Sequence, residues 1–241
     1  MKHVRFFAPL AIGVSMSVLL FSCNSGEEKK AEGPATDTTA AAPEPPAPPA
    51  KPANLMTIIA KVANFDKWLP DYESHDSIRQ SYGLHNFSIA RGAKDSSMVM
   101  IILTMDDAAR AKEFAASPDL KARMKKGGVL GAPTISYLDM QMLDMTPSTS
   151  TRVMVKHKVK DYDTWKKAFE GDKQARTDAG LTDRALGYEF GDNHMVSMVF
   201  LISDMKKAED FSKSDALKKK MEEGGVEGPP TFFYYNQVKK Y

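Results

Sequence analysis

The sequence predicts an α+β fold made of two tandem βαββαβ repeats that pack sheet to sheet within one chain. Three observations predict it: an internal duplication, one order of elements in both copies, and strands that are apolar on both faces. The duplication is the strongest, because segments 62–68 and 159–165 match at an offset of 165 − 68 = 97 residues, which continues ungapped to residue 241. Identities at this offset include Trp68 and Trp165, Glu73 and Glu170, Arg79 and Arg176, Asp107 and Asp204, and Phe114 and Phe211.

The first helix of each repeat follows the first strand and begins at an N-cap residue, Asn64 or Asp161. Asparagine and aspartate are favoured there because their side chains accept a hydrogen bond from a free backbone N–H. Gly83 and Gly180 are expected to end these helices as C-cap glycines. Pro70 is expected to bend the helix of the first repeat only, since Lys167 replaces it in the second.

The second helix of each repeat begins at Asp107 or Asp204, and Ser117-Pro118 predicts that it restarts within the first repeat. β-branched and apolar runs predict four strands per copy. The predicted strands are 56–63, 85–92, 98–105 and 134–140 in the first repeat, and 153–160, 182–190, 195–203 and 231–238 in the second.

This order is that of a ferredoxin-like unit, with an antiparallel sheet and both helices on one face. Because the strands are nearly all apolar, the other face needs a cover, and the second sheet supplies one. The pattern Asp-Tyr-Asp-x-Trp at 161–165, with Gly-Gly-Val-x-Gly-x-Pro-Thr at 127–134 and 224–231, resembles the dimeric α/β-barrel superfamily. That superfamily includes antibiotic-biosynthesis-monooxygenase-like and small cyclase-like proteins.

The resemblance implies repeats over 54–146 and 151–241 that form the barrel within a single chain, and hence a monomer. It implies the fold and does not imply a particular activity, because this fold supports many functions.

Residues 1–22 have the form of a bacterial signal peptide, with Lys2 and Arg5 ahead of an apolar run. The run ends in Leu-Phe-Ser-Cys at 20–23, which resembles the lipobox of bacterial lipoproteins. Cys23 is therefore expected to carry lipid and to hold the protein on a membrane of the cell envelope, the outer membrane being favoured and its periplasmic or surface face left open. The alternative is an ordinary secretory signal with an unrelated cysteine. Residues 23–53, rich in alanine and proline, are expected to form an extended, disordered tether.

The composition argues against several functions. The net charge of +2 gives no field for nucleic-acid binding, and Cys23 is the only cysteine, so the chain has no internal disulfide and no further thiol. Histidines lack metal-ligand spacing, and no glycine loop follows a strand, so no metal and no cofactor is predicted. The methionine pairs Met98 with Met100 and Met195 with Met198 suit an adaptable core better than copper(I).

Three side chains on the first strands are candidate ligand-binding residues: Lys61, His157 and Lys158. Alternate strand residues face opposite sides, and sequence does not say which side is the barrel interior. His157, where the first repeat has Ala60, is either a weak catalytic candidate as general base or a histidine packed among valines.

Arg79 and Arg176 recur at the ends of the first helices and are further candidates for binding an anion. The alternative is an ion pair on the helix, with Glu73 and Glu170 as the nearby carboxylates.

Two functions follow from these expectations. The first is a barrel that binds, and in some members of the superfamily transforms, a small apolar molecule between the two sheets. The second is a non-catalytic structural or adaptor lipoprotein, favoured by the lack of an acid–base pair that recurs in both repeats. The sequence does not decide whether the protein is an enzyme.

Overall fold

The computed structural model describes residues 51–241. The predicted signal peptide 1–22, Cys23 and nearly all of the tether 23–53 lie outside the described residues. The first repeat comprises β1 Leu55–Val62, α1 Phe65–Glu73, α2 Asp76–Ser81, β2 Leu84–Gly92, β3 Met98–Met105, α3 Ala108–Ala116, α4 Pro118–Lys126 and β4 Val129–Leu143. The second comprises β5 Arg152–Val159, α5 Tyr162–Gly171, α6 Lys173–Asp178, β6 Leu181–Glu189, β7 Asp192–Ile202, α7 Met205–Ser212, α8 Asp215–Glu223 and β8 Val226–Lys240.

The predicted N-caps are confirmed. Asn64 accepts a hydrogen bond from the backbone N–H of Lys67 at 2.9 Å, and Asp161 accepts one from Thr164 at 2.8 Å. Asp107 and Asp204 cap α3 and α7 in the same way. Each cap satisfies one of the four backbone donors that a helix start leaves free, and such a cap contributes about 1 kcal/mol.

The first helix of each repeat is broken, which the sequence did not predict. The break falls at Ser74 and His75 in the first repeat and at Asp172 in the second. Pro70 does not cause it, because the second repeat breaks at the same place without a proline. The restart at Ser117-Pro118 is confirmed, and Ser117 accepts from the N–H of Leu120 at 3.2 Å.

The fourth strands, β4 and β8, are about twice as long as predicted, with 15 residues each. Glycine and proline near their starts suggested turns, but Gly131 and Gly228 instead adopt φ of 72° and 71° within the strands. Only glycine adopts such φ without steric cost. The partner strands shift register at the same level, and these bulges let the long strands continue.

The two sheets close into one barrel, in the strand order β1-β3-β2-β8-β5-β7-β6-β4, with every neighbouring pair antiparallel. The long strands make the closure. β4 pairs with β6, where Leu143 lies opposite Ala185, and β8 pairs with β2, where Tyr235 lies opposite Gly92. The predicted α+β fold, two ferredoxin-like repeats joined as an intrachain dimeric α/β barrel, is therefore confirmed.

Apolar side chains form three layers. One lies between each half of the barrel and its own helices, centred on Trp68 in the first repeat and on Trp165 in the second. The third fills the barrel interior and includes Met100, Met140 and Met154. Fully burying one such side chain contributes roughly 1.5–3 kcal/mol, so all three layers hold the fold together. Among residues 51–241, no helix has the length and apolarity needed to cross a membrane.

Candidate functional site

The structure settles which face of β5 lines the barrel. Val153 and Val159 pack under the helices of the second repeat, whereas Met154 belongs to the interior layer. His157 shares the parity of the valines and therefore faces the helices. Lys158 shares the parity of Met154 and belongs to the barrel side.

A cavity of about 90 Å³ lies inside the barrel, at the end where β1 and β5 begin. Its walls differ between the repeats. At three equivalent wall positions the first repeat supplies apolar side chains and the second supplies polar ones. The offset of 97 pairs Leu55 with Arg152, Phe87 with Arg184, and Leu138 with Tyr235, and all six line the cavity.

The two arginines of this wall are buried, at 7% exposure each, and they contact the segment that joins the repeats. Arg184 donates to the Asp144 carboxylate at 2.6 Å and to the Thr146 carbonyl. Arg152 donates through Nη2 to the Ser148 carbonyl at 3.1 Å. Its Nη1 is buried and has no hydrogen-bond partner among residues 51–241.

The electrostatics of this wall are those of a site with excess positive charge. Burial lowers the pKa of Arg152, and the neighbouring charge of Arg184 lowers it further. Burial also raises the pKa of Tyr235, so its hydroxyl stays protonated at neutral pH and can donate a hydrogen bond.

Beyond the cavity, a polar cluster occupies the barrel interior. Lys156 is the next inward-facing residue of β5 after Met154, and its Nζ lies 2.6 Å from both Glu189 Oε1 and Ser136 Oγ. Glu189 also accepts from the N–H of Tyr137 at 3.1 Å. This cluster satisfies its own charges, because the ammonium group of Lys156 pairs with the Glu189 carboxylate.

A larger cavity of about 120 Å³ lies outside the barrel, between the second repeat's sheet and its helices. His157 lines it, 8% exposed, with its ring edge-on to Trp165 at a centroid distance of 5.6 Å. Neither ring nitrogen has a partner among the described residues, and burial lowers the pKa of His157 to about 4. The imidazole is therefore neutral at pH 7. The first repeat has Ala60 and a cavity of about 70 Å³ at the equivalent place.

Lys61 and Lys158 lie neither beside His157 nor beside the two arginines of the barrel cavity, Arg152 and Arg184. They stand at the far end of the barrel with side chains 51% and 57% exposed. Lys61 pairs with Asp95 at 3.4 Å, and Lys158 pairs with Glu227 at 3.3 Å. Such exposed pairs contribute little to stability, and both lysines are already paired within the chain.

Arg79 and Arg176 are buried at the helix breaks, where each binds a carboxylate and a backbone carbonyl, while Nε of Arg79 is buried without a partner among residues 51–241. Arg176 binds both carboxylate oxygens of Asp183, at 2.9 and 2.8 Å, and its Nη1 donates to the Phe169 carbonyl at 2.5 Å. Arg79 donates to the Tyr72 carbonyl at 2.8 Å and lies 3.2 Å from an Asp76 oxygen.

Each of these arginines thus adds a hydrogen bond to a carbonyl just before the helix break, and that carbonyl also accepts one from a backbone N–H at 3.3 Å. The carboxylate partners are Asp76 and Asp183, where Glu73 and Glu170 were expected. Glu73 instead pairs with Lys239 at the end of β8.

Residues 51–241 contain no group of three or more His, Cys, Asp or Glu side chains placed to hold a metal ion. The thioether side chains of Met100, Met140 and Met154 line the interior cavity and pack with the other apolar side chains of the interior core.

Sequence reasoning missed Arg152, Arg184 and Tyr235, because no motif marks them. A signal was nevertheless present: each occupies a predicted strand position, or the residue next to one, where the other repeat is apolar. Comparing the two repeats position by position, and asking where a residue with a polar group replaces an apolar one, would have found all three.

No protein-family profile and no curated protein matches the sequence. Solved structures do match. An anthrone oxidase-like protein is 13% identical over 78% of this chain and 92% of its own, with a TM-score of 0.53. A candidate monooxygenase from Fusobacterium nucleatum is 12% identical over 78% and 93%, with a TM-score of 0.49. A ferredoxin-fold protein from Listeria monocytogenes, related to antibiotic biosynthesis monooxygenases, is 9% identical over 78% and 96%, with a TM-score of 0.44.

At these identities the likeness concerns the fold alone. The strand order, the closure by β4 and β8, and the likeness to the anthrone oxidase-like structure agree with one another. The chain has the ferredoxin-like dimeric α/β-barrel fold, built here from two repeats of a single chain.

Proposed function

We propose that the protein binds a small, largely apolar molecule inside its barrel. The observation that carries the proposal is the interior cavity of about 90 Å³, with the apolar wall of Leu55, Phe87 and Leu138 opposite a wall that contains Arg152. Pockets for small molecules are concave and mostly apolar, with a few placed polar groups that orient the ligand. The barrel cavity has this composition.

The cavity volume limits the size of the buried group. A cavity of about 150 Å³ holds benzene, which has six carbons. In proportion, the cavity of about 90 Å³ holds about four carbons. The ligand therefore places a short apolar group in the barrel and carries any larger part toward the mouth.

The proposal is for binding and not for a reaction. General acid–base catalysis needs a titratable group within hydrogen-bond reach of the reacting atom, with its orientation fixed by a neighbour. His157 faces away from the barrel cavity and has no hydrogen-bond partner within 51–241. Lys156 and Glu189 neutralise each other by their ion pair.

A matched pair of variants tests where the molecule binds. Ala185 lines the barrel cavity, and Ala168 lines the cavity between sheet and helices. Native mass spectrometry of the protein purified from its own host should show a retained small molecule. Ala185→Leu should remove it by filling the barrel, while Ala168→Leu should keep it. Retention of the molecule by a folded Ala185→Leu protein would refute the barrel site.

A second candidate site is the cavity of about 120 Å³ beside His157. The two unpartnered ring nitrogens of His157 favour it, because a buried polar group without a partner costs free energy that a ligand O–H or N–H would recover. Loss of the molecule in Ala168→Leu, with retention in Ala185→Leu, would select this site.

We propose further that Cys23 carries a lipid that holds the protein at the cell envelope, on the strength of the lipobox-like segment 20–23. Metabolic labelling with a fatty acid should mark the wild type and leave Cys23→Ser unlabelled. The adaptor function would be favoured instead if no molecule were retained and a partner protein co-purified with the labelled lipoprotein.

A further inference from the structure

We infer that the molecule bound in the barrel is a monocarboxylate with a short apolar tail, held by Arg152 through its free Nη1 and by the Tyr235 hydroxyl. This inference rests on the proposed barrel site and adds the chemical class of its ligand. It also fixes the direction in which the ligand lies, with the carboxylate toward the wall of the second repeat.

The first support is an imbalance of charge. The cavity wall contains two buried guanidinium groups, Arg152 and Arg184, and one carboxylate, Asp144. Asp144 pairs with Arg184 at 2.6 Å. Arg152 forms no ion pair with any of residues 51–241, and Lys240 adds a further positive charge to the cavity lining. A buried charge without a counter-charge is costly, so this wall favours an anion.

The second support is a buried donor without an acceptor, with a second donor beside it. The Arg152 Nη1 group is buried without an acceptor, and Arg152 Nη2 is held by Ser148, which fixes the guanidinium plane. Arg152 and Tyr235 are directly paired residues of β5 and β8, so their side chains stand next to each other. A carboxylate has two acceptor oxygens, one for Nη1 and one for the tyrosine O–H.

The third support is the difference between the repeats. Leu55 and Leu138 occupy the positions of Arg152 and Tyr235 in the first repeat and line the same cavity. One carboxylate therefore has one place to bind, and the apolar tail has the opposite wall and the interior Met100, Met140 and Met154. We expect one ligand per chain in one orientation.

The test uses the full-length protein and two probes of equal tail length, pentanoate and 1-pentanol. Each has five carbons in all, so the apolar tails differ by no more than one carbon, and only pentanoate carries a charge. Binding is followed by NMR of ¹³C-methyl-labelled methionines, because Met100, Met140 and Met154 line the barrel cavity while Met198 and Met221 line the cavity outside it. The location of binding is thus measured together with its strength.

The expected result is saturable shifts of the three barrel methionines by pentanoate, with an affinity at least about tenfold higher than that of 1-pentanol. Arg152→Leu, which installs the residue of the first repeat, should bring pentanoate down to the level of 1-pentanol. Arg110→Leu removes one positive charge from an exposed helix, outside the cavity lining, and should leave the preference unchanged.

Different results refute different statements. Equal shifts of the barrel methionines by both probes would overturn the carboxylate inference and leave the barrel site standing. Shifts confined to Met198 and Met221, or none with either probe, would overturn the barrel site itself. Should Arg152→Leu not fold, the wild-type comparison of the two probes still decides, and Tyr235→Phe should weaken pentanoate alone.

Discussion

The two repeats share the residues that build the scaffold and differ in the residues that face the cavities. The caps Asn64 and Asp161 and the tryptophans Trp68 and Trp165 occupy equivalent places and make equivalent contacts. In contrast, Ala60 and Leu55 of the first repeat correspond to His157 and Arg152 of the second at the offset of 97. The two repeats thus form one barrel with unlike halves, and the polar groups at these positions lie in the second.

Arg79 and Arg176 are buried at equivalent helix breaks, where each bonds a backbone carbonyl, but they pair with carboxylates at different positions. Arg176 is held by the Asp183 carboxylate on β6. The equivalent of Asp183 in the first repeat is Asn86, which is neutral, and Arg79 takes Asp76 from its own helix instead. The two arginines occupy the same position in the fold, but the carboxylate that pairs with each lies on the helix in the first repeat and on the strand in the second.

The largest expected effect comes from separating the repeats. Residues 54–146 or 151–241 expressed alone would lose the β2–β8 and β4–β6 pairings and expose the interior layer. Open strand edges and a large apolar face promote association. Sedimentation should therefore show dimers or aggregates of either half, while 54–241 sediments as a monomer. A stable monomeric half would contradict the view that the two sheets need each other.

The next largest effect is a difference in stability between alanine variants of Arg176 and Arg79. Arg176→Ala leaves the buried Asp183 carboxylate unpaired and should lower the free energy of unfolding by about 3–5 kcal/mol. Arg79→Ala leaves Asp76, whose side chain is 37% exposed, and should cost about 1–3 kcal/mol. Urea denaturation of both variants at pH 7 measures the difference. Equal losses would mean that the strand carboxylate adds nothing to the site.

A smaller effect is a pH-dependent loss of stability that comes from His157 of the second repeat. The pKa of His157 is lowered to about 4 in the folded protein, below the unfolded value of 6.5. The unfolded chain therefore binds the extra proton first, so stability present above pH 6.5 is lost as the pH falls toward 4. Between pH 7 and pH 5 the wild type should lose about 2 kcal/mol through this group.

His157→Ala, which installs the residue of the first repeat, should abolish that part of the loss. His85→Ala removes an exposed histidine of the first repeat and serves as the control. Urea denaturation of the wild type and both variants at pH 7 and pH 5 gives the three differences in stability that are needed. If His157→Ala and the wild type lost the same stability between pH 7 and pH 5, the neutral buried histidine would be excluded.

Much of the scaffold could be predicted, because its signals are local. An N-cap such as Asp161, the restart at Ser117-Pro118 and the positive-φ glycines Gly83 and Gly180 depend on a few adjacent residues. The length of β4 could not, because Gly131 suggests a turn when its strand partner is unknown. The helix breaks were also missed, since neither proline nor glycine marks Ser74 and His75, and the bond from Arg79 to the Tyr72 carbonyl cannot be read from the sequence.

The candidate site was harder to predict for a physical reason. Strand periodicity separates two faces, but in this barrel both faces of β5 are buried, one under helices and one inside. Hydrophobicity then cannot say which face is which. His157 could therefore be singled out from the sequence, but the face of the sheet to which it points could not. Arg152 lies at the start of a strand, where a charged residue is ordinary unless its burial is known.

The smallest expected effect tests the part of the comparison in which the repeats agree. Asn64→Ala and Asp161→Ala each remove one hydrogen bond to the first turn of a helix, from Lys67 N–H and Thr164 N–H. Each should lower the free energy of unfolding by about 1 kcal/mol. Because the caps are equivalent and distant from the cavities, the two losses should be equal, add in the double variant, and leave pentanoate binding unchanged. Urea denaturation measures the losses of stability, and the methionine NMR titration measures pentanoate binding. Unequal losses would mean that the repeats differ in stability as well as in their cavity walls, because α1 and α5 would then contribute differently to one barrel.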